Sequence, residues 1–251
     1  MALGTGNTIG TGTRTSSGSS TTITTSASTT AADVILIFCA KDNTGTGTAN
    51  YGEFTTATDT AGNTYVKAGE WTNGGGADNA GATVALFYSK TDNNLATSST
   101  ITVNHDTDTD VALSAWKITT SGASYSFEIQ TSATPVTVDG TAHGASIAIS
   151  GLGSQEYLFA RATSIEDEAL TTDTATASYT AVTHLPSTTA GSNANNIFCA
   201  GEFLILTGTG STSNPTYTTA ASTQSATIFI AFKEVLSTQV ANGLMMKGFG
   251  V

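Results

Sequence analysis

The stretch Val34-Ile35-Leu36-Ile37-Phe38-Cys39-Ala40 is the longest apolar run of the chain. It is far shorter than the ~20 residues that a membrane-spanning helix needs, and it has the length of a strand. Because consecutive strand residues point to opposite sides, an unbroken apolar run predicts a strand covered on both faces. A second run with the same ending, Ile197-Phe198-Cys199-Ala200, predicts another core strand.

The composition around these runs favours sheets over helices. Threonine supplies 51 of the 251 residues, and only 11% of the chain is charged, against ~25% in typical soluble domains. Threonine is β-branched and suits a pleated, half-exposed surface, whereas it is a poor helix former. The 39% of hydrophobic residues is enough for a core. The composition therefore argues against a helical bundle and against a βαβ nucleotide-binding fold.

Short strand-like runs separated by turn residues recur along the chain. This spacing predicts an all-β protein, a single large antiparallel β-sandwich over residues 20–235. The predicted strands are Thr21–Ser26, Asp33–Lys41, Glu53–Thr58, Thr64–Trp71, Ala82–Lys90, Thr100–His105, Val111–Thr119, Ser124–Gln130, Ala145–Ser150, Glu156–Ala162, Thr174–Val182, Asn196–Leu206 and Ala226–Val235.

The two ends differ from this body in composition. Residues 1–19 are rich in glycine, threonine and serine, which predicts an extended N-terminal arm that needs a partner surface to be ordered. Residues 236–251 form an apolar C-terminal tail interrupted by glycines, and exposed apolar side chains are unfavourable in water. We expect the tail to pack on a neighbouring subunit; the alternative is that it folds back on its own domain. The expected subunit-contact residues are Leu244, Met245, Met246, Phe249 and Val251.

The charge distribution indicates which classes of binding partner are unfavourable. The formal net charge is −11, and the eight basic residues are scattered singly, so no basic patch exists for nucleic acid or for an anionic membrane surface. The N-terminus has neither the charged nor the apolar region of a signal peptide, and we expect synthesis in a host cytoplasm. Cys39 and Cys199 lie in apolar runs, which is typical of buried free thiols; a disulfide between them stays open.

No catalytic motif is present, neither a nucleophile elbow, a zinc-protease helix nor a phosphate-binding glycine loop, so we expect no enzymatic activity. The acidic run Glu166-Asp167-Glu168 contains the paired carboxylates that glycoside hydrolysis uses. A hydrolase cleft also needs aromatic walls. Trp71 and Trp116 fall within predicted strands, where a core role is favoured over a sugar platform.

One metal-like pattern stands out. Asp106, Asp108 and Asp110 have the alternate spacing that begins a calcium loop. The following Val111 stands where an EF-hand has glycine, and Lys117 stands where it has a bidentate glutamate, so this is not an EF-hand. Two interpretations stay open: a solvated loop between strands, or a calcium ion held by these carboxylates and backbone carbonyls. No other cofactor is expected, because three isolated histidines and two apolar-run cysteines are not a zinc site.

The segment Asp59-Thr60-Ala61-Gly62-Asn63-Thr64-Tyr65, with Trp71, Ala85–Tyr88, Ile101–Val103 and Ser114–Trp116, resembles a jelly-roll-like β-sandwich of virion proteins of tailed bacteriophages. That domain occurs in decoration, fibre and tail-appendage proteins. The resemblance is clearest over about residues 15–120 and looser to about residue 235. Its motif is a turn signature, in which Asp and Asn tolerate unusual backbone angles and Gly supplies positive φ, so it implies a structural role and no catalytic residues.

The resemblance and the two distinctive ends lead to an expected function. We expect a virion structural protein, a capsid decoration or cement protein on the particle exterior, which assembles as a homotrimer and contacts the major capsid or a tail protein. The alternative is a tail-fibre or head-fibre adhesin that binds host glycans through loops 42–52, 72–80 or 207–218. A secreted glycan-binding module is disfavoured by the missing export signal.

Overall fold

Strands supply the regular structure of the protein. The computed structural model describes residues 3–77, 80–91, 93–122, 125–143, 149–166, 172–174, 179–187, 196–207 and 216–236, and these ranges contain no helix. The strands are β1 (Gly4–Arg14), β2 (Gly18–Thr24), β3 (Val34–Asp42), β4 (Thr48–Ala49), β5 (Phe54–Asp59), β6 (Val66–Asn73), β7 (Ala82–Lys90), β8 (Thr100–Asp108), β9 (Val111–Thr119), β10 (Tyr125–Ser132), β11 (Val136–His143), β12 (Glu156–Glu166), β13 (Thr172–Thr174), β14 (Thr180–Ala181), β15 (Leu185–Pro186), β16 (Ile197–Thr207) and β17 (Thr216–Leu236).

These strands pair antiparallel in three sheets. The middle sheet has the order β1-β9-β3-β7-β6-β4, and the small sheet has the order β2-β8-β5. The long-strand sheet follows β10-β17-β12-β16-β14, with β11 and β13 also pairing with β17 and β15 pairing with β16. The predicted all-β, antiparallel sandwich class is confirmed. The sandwich has three layers, because the middle sheet is covered on both faces.

The strand β3 explains this layering. All nine of its residues are buried. Ile35, Ile37 and Cys39 pack toward the small sheet, in a core completed by residues such as Ile23 and Val103. The alternate residues of β3 pack on the opposite face against the long-strand sheet, in a core that includes Val34, Leu36, Phe38, Leu158, Phe203, Ile228 and Phe232. The unbroken apolar run is therefore the central strand of a three-layer stack.

The N-terminal segment belongs to the body rather than extending from it as the predicted arm. Residues 4–14 form β1 and pair with β9, and Ile9 is fully buried. Glycines allow this. A Cβ added at Gly10 would lie 2.7 Å from the Thr24 carbonyl oxygen, and one at Gly12 would lie 2.2 Å from that of Thr22. The glycine-rich composition thus lets β1 in the middle sheet approach β2 in the small sheet closely.

The cysteines lie in different cores. Cys39 faces the small sheet, whereas Cys199 belongs to the core between the middle and long-strand sheets. Both are buried free thiols, so the two cysteines do not form the disulfide that the sequence left open. Burial raises the pKa of both thiols, that of Cys199 to about 12, so both stay protonated at neutral pH.

The turn that carries the resemblance is held together by one carboxylate. Asp59 Oδ1 accepts hydrogen bonds from the backbone N–H of Ala61 (2.9 Å) and of Asn63 (3.1 Å), and Oδ2 accepts from Asn63 Nδ2 and from the Tyr65 hydroxyl, each at 2.9 Å. Gly62 has φ +78°, a conformation that glycine adopts without strain. The motif closes a loop between β5 in the small sheet and β6 in the middle sheet.

Candidate functional site

Three aspartates meet where strands of two sheets end. Asp42 is the last residue of β3, Asp108 is the last residue of β8, and Asp110 directly precedes β9. Since β3 and β9 are paired neighbours, the Asp42 N–H donates to the Asp110 carbonyl oxygen at 3.1 Å. The short β8–β9 connection crosses from the small sheet to the middle sheet, and it brings Asp108 to the same place.

The three carboxylates face one another inside the protein. One oxygen of each lies within 4.8 Å of the others. Asp42, Asp108 and Asp110 are 1%, 5% and 3% exposed. Asp108 Oδ1 accepts from the backbone N–H groups of Thr109 (2.6 Å) and Asp110 (3.1 Å), and Asp110 accepts from the hydroxyls of Thr109 (2.7 Å) and Ser187 (3.2 Å).

Asp42 differs from its two neighbours. Neither of its carboxylate oxygens has a hydrogen-bond partner among the residues that the structure describes. Burial, followed by the charges of Asp108, Asp110 and Glu166, raises the pKa of Asp42 to about 8. A buried carboxylate without partners is costly, so the local structure calls for a proton or another positive charge at this point.

A buried lysine lies beside the cluster. Lys41 Nζ is 2.7 Å from Glu53 Oε2 and 2.9 Å from Asp108 Oδ2, and it donates to the Asp42 carbonyl oxygen at 2.7 Å. Burial alone would lower the pKa of Lys41, but the charges of Asp108 and Glu53 outweigh it and the pKa lies above its usual value. Burial also raises the pKa of Asp108, despite the opposing effect of Lys41.

Glu53 and Glu70 extend this network to the neighbouring loops. Glu53 Oε1 accepts from the N–H groups of Thr44 (3.2 Å) and Gly45 (2.9 Å). Burial would raise the pKa of Glu53, but Lys41 and these contacts hold it below its usual value. Glu70 in turn accepts from the backbone N–H of Glu53 at 2.7 Å and pairs with Lys67 at 2.8 Å. The loop after β3 is therefore fixed at its base by buried charges.

The structure separates the three aspartates predicted together. Asp106 is exposed, whereas Asp108 and Asp110 are buried and meet Asp42 instead. The stretch expected as a solvated loop is mostly strand, because β8 extends to Asp108. The expected subunit-contact residues, Leu244, Met245, Met246, Phe249 and Val251, lie outside the described residues, as do residues 167–171. Glu166 ends β12 and is buried, and Trp71 and Trp116 pack partly buried on the core.

The sequence pattern did not indicate three residues of this site, Lys41, Asp42 and Glu53. Asp42 reads as the first residue of a turn, Asp42-Asn43-Thr44-Gly45. The available signal is that two charged residues directly continue the apolar run of β3. At the end of a fully covered strand, such residues are buried too, and buried charges need partners.

The histidines occupy separate polar pockets. His105 Nε2 is 2.9 Å from Thr21 Oγ1 and its Nδ1 is 2.6 Å from the Asp106 carbonyl oxygen, while His184 Nε2 contacts the Gly201 carbonyl oxygen at 2.9 Å. His143 is fully buried, with Nδ1 2.8 Å from Ser225 Oγ and Nε2 3.0 Å from Thr219 Oγ1. Thr219 donates its own proton to the Ala221 carbonyl oxygen, so Nε2 of a neutral His143 donates and Nδ1 accepts.

His143 is expected to make stability depend on acid pH. Burial, and then the charge of Arg161, lowers the pKa of His143 to about 4 in the folded protein, below the ~6.5 of an unfolded chain. The unfolded state therefore binds the proton first. The stability that neutral His143 contributes to the folded state is complete above pH ~6.5 and is lost as pH falls toward 4. At ~1.4 kcal/mol per pKa unit, the difference between about 4 and ~6.5 corresponds to about 3.5 kcal/mol of stability, most of which is lost by pH 4.

Urea unfolding of the wild type and of His143→Gln between pH 7 and 4 measures this effect. The difference in unfolding free energy between the two proteins should shrink as pH falls. A constant difference across this range would show that His143 titrates normally.

The part of the chain that the structure describes holds no helix with the length and hydropathy of a membrane span. Comparison of the chain with protein-family models, with curated proteins and with solved structures finds no significant match.

Proposed function

We propose that this protein is a structural subunit of a bacteriophage virion and that it decorates the exterior of the capsid. The observation that carries the proposal is the three-layer stack, in which the middle sheet is covered on both faces. A subunit that reinforces a shell must resist deformation, and close-packed cores on both sides of one sheet provide this stiffness.

The polar interior supports the same role. Lys41, Glu53 and Glu70 are buried and bonded to loop backbones, which fixes the loops at that end of the body. The Asp59 turn, which carries the resemblance to virion proteins, likewise serves to close a loop. These groups act as structural supports, which fits a protein without enzymatic activity.

The C-terminal sequence provides the expected contact with neighbours. Leu244, Met245, Met246 and Phe249 follow the long strand β17, whose last residue, Leu236, is 56% exposed. In a homotrimer each such tail would bury its apolar side chains against another copy, which supplies the hydrophobic gain that assembly needs.

The second candidate is a tail-fibre or head-fibre adhesin. Two of its three predicted loops form one surface. The Gly74 N–H donates to the Gly47 carbonyl oxygen at 2.9 Å, and Asn43 Nδ2 donates to the Ala77 carbonyl oxygen at 2.8 Å. Tyr51 lies on this surface and is 48% exposed. An exposed aromatic ring on a fixed loop pair is the feature that a glycan-binding surface requires, and the third loop lies mostly outside the described residues.

Assembly through the tail is tested by the mass of the purified chain in solution. We expect the full chain to be a trimer of 25.3 kDa subunits and Met246→Glu/Phe249→Glu to be a monomer, because two charges replace the apolar contacts. Asn242→Glu, which adds a charge to the same segment without removing an apolar side chain, should stay trimeric. Mass photometry or sedimentation distinguishes these states. A monomeric full chain, or a trimer that survives the double substitution, contradicts the proposal.

A further inference from the structure

We propose that Asp42, Asp108 and Asp110 form a binding site for a divalent cation, and that the cation is calcium. This assignment is independent of the virion role proposed above. It replaces the pattern of Asp106, Asp108 and Asp110 expected from the sequence, because the fold substitutes Asp42 for the exposed Asp106.

The unpartnered carboxylate of Asp42 is the first support. Asp42 is 1% exposed and points at the other two carboxylates, with a ligand oxygen of each within 4.8 Å of the others. Neither of its oxygens is hydrogen-bonded within the described part of the chain. Buried carboxylates are normally paired or bound to metal. The donor groups of Thr109 and the Asp110 N–H serve Asp108 and Asp110 instead of Asp42.

The charge balance is the second support. Lys41 contacts both Glu53 and Asp108, and its one positive charge offsets one of these carboxylates. If Lys41 is matched with Glu53, the three aspartates retain three negative charges when ionised. A divalent ion reduces this to one, without requiring that the buried carboxylates be protonated.

The ligand chemistry selects the ion. Carboxylate oxygens are hard ligands, which suit calcium and magnesium rather than zinc or copper. The nearby His105 has both ring nitrogens within hydrogen-bond distance of other groups, so it offers no ligand atom. Calcium accepts irregular geometry and both oxygens of one carboxylate, whereas magnesium demands a near-octahedral shell. Three aspartates on separate strand ends favour calcium.

The position of the site predicts how a bound ion would affect the folded state. An ion there would join the end of β3 and the start of β9 in the middle sheet to the end of β8 in the small sheet. Asp110 also accepts a hydrogen bond from Ser187, which follows β15 of the long-strand sheet. Calcium would therefore hold one end of the stack closed, and it would stabilise the folded state, because the unfolded chain does not bring these aspartates together.

The test is thermal unfolding of the full chain, stripped with EDTA and then titrated with calcium chloride. At a hundredfold excess of calcium over its Kd we expect Tm to rise by about 5–10 °C, and equilibrium dialysis should find one ion per chain. Asp42→Asn removes a charge with little change of shape. It should fold, with a calcium-free Tm at or above that of the wild type, and lose most of the calcium-induced rise.

Asp106→Asn is the matched control, because it removes an exposed aspartate two residues from the site. It should respond to calcium like the wild type. Three outcomes would overturn the proposal: no calcium-dependent rise in Tm, an equal rise in Asp42→Asn and wild type, or an equal response to magnesium and calcium at the same ionic strength.

Discussion

Replacement of Lys41 by methionine is expected to destabilise the protein by about 3–5 kcal/mol, because it leaves buried charges without their partner. Lys41 and Glu53 are both fully buried, and Lys41 also pairs with Asp108. Removal of one member of a buried pair costs more than removal of both. The double variant Lys41→Met/Glu53→Gln should therefore recover part of the loss.

Urea unfolding in EDTA measures these differences without a contribution from bound metal. Lys117→Met is the control. Lys117 contacts the Ser28 carbonyl oxygen in an exposed position, and its replacement should change stability by no more than about 0.5 kcal/mol. If Lys41→Met were as mild as Lys117→Met, or if the double variant were less stable than the single one, the buried network would not be a structural support.

Phe38→Ala is the second large effect, with an expected loss of about 3–5 kcal/mol. Phe38 is fully buried on the central strand, in the core that joins the middle and long-strand sheets. The site is tightly filled, because a Cβ added at Gly201 would lie 2.4 Å from Phe38 Cδ1 and 2.8 Å from Val182 Cγ2. Gly201→Ala should thus cost about 1–3 kcal/mol by overpacking.

The two changes should offset each other in part. In Phe38→Ala/Gly201→Ala the new methyl group occupies space that the ring has vacated, so the combined loss should be smaller than the sum of the single losses. Chemical unfolding of the three variants checks this, with Val66→Ala, at a position 46% exposed, as a mild control. Strict additivity would mean that Phe38 and Gly201 do not pack against each other.

Strand positions could be predicted well where the apolar pattern is strong. The strands predicted at residues 33–41, 82–90 and 111–119 correspond closely to β3, β7 and β9. β1 and β11 were missed, because a strand that pairs mainly through its backbone carries little apolar signal. In β1 the only large apolar residue is Ile9. Its glycines are explained only by close approaches in the fold, those of the first two to β9 and those of the last two to β2.

Only part of the candidate site could be predicted, because one of its three aspartates is distant in sequence from the other two. Asp108 and Asp110 stand out locally by their spacing. Their meeting with Asp42 depends on the pairing of β3 with β9 and on the passage of the chain from the small to the middle sheet between β8 and β9. Such long-range pairings leave no local trace in one sequence. Burial of charged residues at strand ends is likewise a property of the three-layer packing.

The proposed role as a capsid decoration protein is tested most directly by cryo-EM of the phage particle whose genome encodes this chain. We expect density for the three-sheet body on the outer surface of the capsid, repeated in groups of three over the whole shell. Density confined to the tail or to a few fibres, or particles that lack the protein, would contradict this account.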